Sequence, residues 1–331
     1  MKREISEGPM NTRALWYASR EKAELRPVVL PPVRAGEARV RTLWSGLSRG
    51  TERLVFEGQV SAHESERMRA PFQEGDFPHP VKYGYCAVGL VEEGPAELLG
   101  KPVFCLHPHQ ERFVAPVSML QAIPEGVPAR RAVLAANMET ALNALWDSGA
   151  GPGDRILVVG AGVVGLLVAA VAARLPGAEV AITDIDFSRR ELATRLGARF
   201  ARPLDAPGGA DVVFHASATP AGLACALACA GLEATVVEMS WYGDDMVPTP
   251  LGSDFHSRRL KLISSQVGQV APTRRPRWDF ARRLAKALEL LADERLDALI
   301  TEEVAFEALA AELPRLLGRG APGLCTAIRY S

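Results

Sequence analysis

The chain has no long hydrophobic run. No uninterrupted apolar stretch in its 331 residues reaches the length of a membrane-spanning helix, which takes about 20 residues, so no membrane segment is expected. Cysteine is scarce: Cys86, Cys105, Cys225, Cys229 and Cys325 are scattered, and neither their number nor their spacing makes a disulfide framework or a zinc site. The reducing cytoplasm is therefore the expected compartment. Cys225 and Cys229, four apart in an Ala-rich run, read as two small buried apolar residues. An excess of either charge is missing too, with 38 Lys and Arg against 39 Asp and Glu. That balance leaves no electrostatic case for nucleic acid or an anionic membrane. The short Arg274, Arg275, Arg277 cluster reads as a solvated loop. Repeats and low-complexity segments are absent. The opening MKREISEGPMNTR lacks the apolar stretch of a signal peptide and reads as a frayed extension.

What is present is ordinary for a soluble globular protein, 48% hydrophobic and 23% charged, and long enough for two domains. The run RILVVGAGVVG places a buried strand (156–159) directly before Gly160-x-Gly162-x-x-Gly165 and an apolar helix (166–175). A second β-rich run (179–183) ends on Asp184. This is the strand, glycine turn, helix, strand, acid order of a dinucleotide-binding unit. Gly160 permits the tight turn, Gly162 lets backbone N–H groups approach a pyrophosphate, and Gly165 lets helix and strand pack closely, with Val164 inside the turn. Asp184 is placed to accept from the ribose hydroxyls.

Residues 13–117 read as short β-runs punctuated by Gly and Pro, a β-barrel-like composition. Within them, 57–80 reads as a long polar, Pro-ending excursion. From Ala129 the pattern becomes helical (131–147), and a Gly-rich stop precedes the central strand. Beyond Asp184, helices at 188–196 and 220–230 alternate with strands near 199–202, 211–217, 235–241 and 260–267, which means a parallel, doubly wound sheet. Its ligand crevice lies at the carboxyl ends of the strands. The tail breaks the alternation: an amphipathic helix (278–291), a β-run, a helix (307–317) and a closing strand.

A Gly-rich barrel, a nucleotide domain and a returning helix–strand–helix–strand tail together resemble the medium-chain dehydrogenase/reductase superfamily, which holds zinc alcohol dehydrogenases and zinc-free quinone reductases. The resemblance covers nearly the whole chain. It implies a GroES-like β-barrel catalytic domain over 1–127, completed by a C-terminal return over 272–331, and a Rossmann doubly wound parallel sheet over 128–271. Within the family, SGLSRGTERLVFEG (45–58) and GYCAVG resemble segments of the bacteriochlorophyllide a dehydrogenases, which oxidise a hydroxyethyl side chain on a tetrapyrrole.

The resemblance also implies that zinc is missing. Zinc alcohol dehydrogenases carry a Cys where this chain has Ser48, a His-Glu pair where it has Tyr85 and Cys86, and a further ligand near Ala135 or Ala136. A zinc site needs three protein ligands from Cys, His or carboxylate. The four-Cys structural lobe is missing as well. His107 and His109 form an H-x-H pair on a β-run, with no third ligand evident. Without a Lewis acid, other groups must handle oxyanion charge and the proton. By the resemblance these sit in the crevice between the domains: Tyr85 as proton donor or acceptor and Ser48 as hydrogen-bond donor to the substrate oxygen, with His109 either in a proton relay or in a structural hydrogen bond. Glu139, on an apolar helix beside Thr140, is either a buried acid or an exposed residue, and the sequence leaves this open.

For the cofactor, the resemblance assigns the glycine turn and Arg49 to the pyrophosphate, Thr140 to the nicotinamide, and Ser217, Trp241, Tyr242 and Ser265 to the nicotinamide half. Asp184 would repel a 2′-phosphate and favours NAD(H) over NADP(H), while Arg189 and Arg190 lie nearby. The expected function is a zinc-independent, NAD-linked oxidoreductase acting on a secondary alcohol or ketone, as part of a biosynthetic pathway. The alternatives are an enoyl or quinone reductase acting on a conjugated acceptor, and a nucleotide-binding protein without catalysis. The expected partners are a small-molecule substrate and a second copy of the chain in a homodimer.

Overall fold

The computed structural model describes residues 10–331. They form two compact units, one running up to Leu134 and resuming at Ile300–Ser331, the other Ala135–Leu299.

The first unit starts with β1 (Met10–Ser19) and β2 (Lys22–Leu30), an antiparallel hairpin. Strand β3 (Glu37–Leu47) alternates inward and outward residues and leads into helix α1 (Arg49–Phe56). There follow β4 (Glu74–Gly75), β5 (Val81–Lys82), β6 (Ala87–Glu93), β7 (Pro102–Cys105), β8 (Arg112–Pro116), β9 (Gln121–Ala122) and the short helix α2 (Ala129–Ala132). Ala38 and Val40 from β3 pack with Ala87 and Val91 from β6, Val103 from β7 and Phe113 from β8. Each such Val contributes about 1.5–3 kcal/mol by leaving water. The 57–80 excursion is irregular apart from β4.

The opening of the chain departs from the sequence reading. Residues 1–9 lie outside the described part, but Met10–Arg13 are paired strand, with Met10 opposite Leu30. Their polarity is satisfied across the barrel: the Arg13 N–H donates to Glu111 at 2.8 Å and the Arg112 N–H donates to Thr12 Oγ1 at 3.1 Å.

The second unit runs α3 (Ala135–Ser148), β10 (Arg155–Val159), α4 (Val163–Ala172), β11 (Glu179–Thr183), α5 (Arg190–Arg195), β12 (Arg199–Ala201), β13 (Ala210–His215), α6 (Pro220–Cys229), β14 (Ala230–Glu238), α7 (Asp254–Ser257), β15 (Lys261–Ser264) and α8 (Phe280–Leu290). All pairings are parallel, in the order β12-β11-β10-β13-β14-β15. The chain leaves β10 toward one edge and returns to its other side at β13, so the strand order reverses at the carboxyl end of β10. Helix α4 packs on β10 and β11, α6 on β13, and α3 on α4 and α8.

The tail then rejoins the first unit as β16 (Ile300–Ala305), α9 (Phe306–Leu317) and β17 (Cys325–Arg329). Strand β17 runs antiparallel to β3 and parallel to β16. The sequence reading set this return at 272. The chain changes unit at Ile300 instead, because α8 packs on α3 and its Arg283 is buried there against Glu139. The fold is α/β, a Rossmann-type sheet plus a GroES-like barrel. Among the described residues no helix is long and apolar enough to cross a membrane.

Candidate active site

In the second unit the chemistry begins at the glycine turn. Gly160 follows β10 at φ 107°, and a Cβ there would stand 2.8 Å from the Ser217 backbone nitrogen. A Cβ on Gly165 would fall 1.9 Å from the Gly160 carbonyl oxygen, which only glycine avoids. Gly162 caps α4, and a Cβ on it would meet no protein atom within 4 Å. Val164 is half-buried in the first turn of α4. The first N–H groups of this helix have no intrahelical acceptor, so the turn offers donors to an anion.

Asp184 stands at the carboxyl end of β11. Its carboxylate accepts from the backbone N–H of Ala161 at 2.5 Å and of Asp186 at 2.8 Å. Those bonds lock the acid beside the turn. Nearby, Arg189 pairs with Asp186 at 3.1 Å, and the guanidinium groups of Arg190 and Arg202 lie over the Phe187 ring. Ile185, which the sequence reading passed over, is 92% exposed immediately after Asp184. So exposed an isoleucine offers an apolar platform at this edge.

At the ends of β13 and β14 lies a second unforeseen cluster. Buried His215 lies between Ser217 Oγ, 2.7 Å from Nε2, and Glu238 Oε2, 2.7 Å from Nδ1. The Tyr242 hydroxyl donates to the same Glu238 oxygen at 3.2 Å. Ser217 thus sits beside Gly160, while Ser265 follows β15 and donates to Asp147 at 2.7 Å. Thr140 is half-buried on α3 and donates to the Ala136 carbonyl at 3.0 Å. Glu139 is resolved as a buried acid, paired with Arg283 at 2.9 Å.

In the first unit the polar centre is Glu52, fully buried on α1. One of its oxygens accepts from Tyr17 Oη at 2.6 Å and lies 2.9 Å from His109 Nε2, and the other accepts from the Ser48 N–H at 2.7 Å. His109 Nδ1 is 2.7 Å from Ser45 Oγ, which is 2.9 Å from the Tyr330 hydroxyl. Glu52 was missed because two of its three partners, Tyr17 and His109, come from distant stretches of chain.

Ser48 is the N-cap of α1, a position whose side chain ordinarily accepts from the first turn. Here it makes no capping bond. Glu52 caps the backbone instead, and Ser48 Oγ accepts from the Tyr85 hydroxyl at 2.5 Å. Burial, then the Cys86 thiol and the Glu52 carboxylate, raise the pKa of Tyr85 above the usual phenol value. Tyr85 therefore remains protonated and donates to Ser48, leaving the serine hydrogen for an outside acceptor. Arg49 is turned toward the tail, donating to the carbonyls of Ala321 and, at 2.7 Å, Pro322.

His107 and His109 do not lie on a strand; they fall in the irregular segment between β7 and β8. His107 Nδ1 donates to the Pro108 carbonyl at 2.9 Å while His109 serves Glu52 and Ser45, so the two rings share no ligand position. Among the described residues no three His, Cys, Asp or Glu groups gather as metal ligands. The described cysteines are all free.

Residues 147–240 match the family model of the alanine dehydrogenase/PNT C-terminal domain. The chain is 27% identical over 199 residues to 2-dehydro-3-deoxy-L-galactonate 5-dehydrogenase of Pseudoalteromonas atlantica. That alignment covers 57% of this chain and 54% of the relative, so it spans about half of the relative's length. Among solved structures, L-idonate 5-dehydrogenase from Escherichia coli aligns with a TM-score of 0.80 at 15% identity, covering 97% of this chain and 99% of that one. An alcohol dehydrogenase from Escherichia coli CFT073, complexed with NADH, aligns with a TM-score of 0.77 at 17% identity, covering 96% and 99%. At these identities the likeness is one of fold.

Proposed function

We propose that this chain, which shares its fold with the dehydrogenases above, is a medium-chain dehydrogenase/reductase and an NAD(H)-linked oxidoreductase. It transfers a hydride between the nicotinamide and a secondary alcohol or ketone, and it does so without zinc. The observation that carries this reading is the Tyr85–Ser48 pair: a capping serine released from capping and held by a protonated tyrosine.

The residues at the family's zinc positions do not suit the metal. Ser48 is engaged as an acceptor, and among the described residues Cys86 belongs to no group of three His, Cys, Asp or Glu able to hold a metal. Ala135 and Ala136 have no donor atom. Tyr85 and Ser48 would then handle the proton: Ser48 donates to the carbonyl oxygen as it gains charge, the Tyr85 proton passes to Ser48, and bulk water restores the proton to Tyr85. His109, held by Glu52, supports the chain segment from which Ser48 acts. Gly160, Gly162, Val164 and Gly165 would hold the pyrophosphate, and Thr140, Ser217 and Ser265 the nicotinamide half; Arg49 would join them only by leaving the Ala321 and Pro322 carbonyls. Asp184 would accept from the ribose hydroxyls and disfavour NADPH, while Arg189 pairs with Asp186. The protein acts in the cytoplasm on a small-molecule substrate. It works as a homodimer, its copies joined through the open edge at β15.

The test pairs elemental analysis with fluorescence titration of NADH and NADPH, followed by kinetics of Tyr85→Phe and Ser48→Ala. The expected outcome is no stoichiometric zinc, tighter NADH, and a fall in kcat of about 10²–10⁴-fold in both variants. Stoichiometric zinc, or variants of unchanged kcat, would reject the mechanism. A conjugated acceptor delocalises charge and needs no such relay, so unchanged variants with quinone or enone turnover would favour a reductase.

A further inference from the structure

Helix α3 is apolar along most of its length, yet it carries Glu139, Asn143 and Asp147 at four-residue spacing. That spacing puts all three on one face. Arg283 from α8 closes over this face and is 1% exposed. Its Nε donates to Glu139 at 2.9 Å and its Nη1 to Asn143 Oδ1 at 2.6 Å. The same guanidinium donates to the backbone carbonyls of Gln269 at 3.1 Å and Val267 at 2.5 Å. Asn143 Oδ1 also accepts from the Ala271 N–H at 3.1 Å, and its Nδ2 donates to Asp147 at 2.9 Å. Asp147 in turn holds Ser265 at 2.7 Å. Alternate residues of the 265–271 loop are therefore tied to one polar stripe.

An apolar contact between α3 and α8 would serve packing as well or better, since desolvating an Arg–Glu pair offsets most of its attraction. What the guanidinium adds is direction: its fixed fork sets two loop carbonyls at once. The loop leaves the carboxyl end of β15, the sheet edge at which doubly wound folds hold their ligands. Glu139, the other end of the pair, adjoins Thr140.

We propose that Arg283 is a positioning residue that holds the 265–271 loop and the Thr140 turn of α3 as a preformed seat for the nicotinamide half of the dinucleotide. The adenosine half is left to the glycine turn and Asp184. This inference rests on the dinucleotide reading above and adds to it a residue from α8, outside every segment that reading used.

The test measures NADH and ADP-ribose affinity calorimetrically on the full chain, for the wild type, Arg283→Met and Arg283→Lys. ADP-ribose lacks the nicotinamide. Arg283→Met is expected to weaken NADH about tenfold or more and to leave ADP-ribose within about twofold. Arg283→Lys, which keeps the charge but loses the fork, falls between. Equal weakening of both ligands, or of neither, overturns the proposal. Hydrogen exchange on the wild type needs no variant to fold: the 265–271 amides should gain protection with NADH and not with ADP-ribose, and identical protection overturns the proposal. A wild type that binds neither ligand overturns the dinucleotide reading, and this inference with it.

Discussion

His107 lies 4.0 Å from the Phe113 ring and 5.0 Å from the Phe72 ring, centroid to centroid, with its Nδ1–H on a carbonyl. Burial pushes its pKa down to about 3, and nearby Lys82 and His109 add to the effect. An unfolded histidine titrates near 6.5. Between those values the unfolded chain takes up a proton that the folded chain refuses. Stability is therefore complete above about pH 6.5 and declines as pH falls toward 3. At pH 5 the loss from this one ring is about 2 kcal/mol. Urea unfolding of the wild type and of His107→Leu at pH 7.5 and 5.0 measures it. The wild type should lose about 2 kcal/mol more than the variant between the two pH values, and equal losses would show that the ring is not held neutral. The same residue shows where sequence reading stops. H-x-H spacing suggests a shared face, but the segment is not a strand, and only the fold separates a ring among aromatics from a ring on Glu52. Glu52 itself draws on Tyr17 and His109, which no local pattern connects to it.

Elements were far more legible than these contacts. Period-two and helical patterns located most strands and helices of the second unit, because there the apolar run is the element, whereas α1 (Arg49–Phe56) lies in a stretch read only as β-runs. The glycine turn was legible for a further reason: its residues act on each other within one strand–turn–helix. Gly165 and Gly162 nevertheless do different work, and substitution separates them. Alanine at 165 drives a methyl into the Gly160 carbonyl, 1.9 Å away, so Gly165→Ala should lose about 1–3 kcal/mol of stability together with NADH affinity. Alanine at 162 meets no protein atom within 4 Å, so Gly162→Ala should keep its melting temperature and lose about tenfold or more in NADH affinity. Thermal melts alongside NADH titration read both. If Gly162→Ala bound NADH like the wild type, the pyrophosphate would not lie on this turn. Glu139 was undecidable at this scale, since its partner Arg283 comes 144 residues later.

At the scale of the whole chain, the first unit is assembled from two distant stretches, and the second interrupts it. The return is bonded as well as packed. Strand β17 pairs with β3 from Thr326 opposite Leu47 to Arg329 opposite Trp44. Arg53 donates to the Leu317 carbonyl at 2.7 Å, and Tyr330 meets Ser45 inside the Glu52 network. A chain ending at Leu299 would leave β3 with an open edge, and Arg49, Arg53 and Ser45 would lose these partners. Losing the partner of buried Ser45 costs about 1–3 kcal/mol, and the lost β3 pairing and apolar packing add to it, against a typical domain stability of about 5–15 kcal/mol. Truncation should therefore unfold the barrel while the parallel sheet, closed by α8 before the cut, survives. Hydrogen exchange on the truncated chain would then show strands β3, β6 and β7 exchanging freely and β10, β11 and β13 still protected. If the barrel strands kept their protection, the tail would be an appendage, and the Glu52 network would hold Ser48 without it. Catalysis on the reading above needs both units. The truncated chain is thus expected to retain NADH binding and lose turnover, so the loss would come from the unit that carries Tyr85 and Ser48.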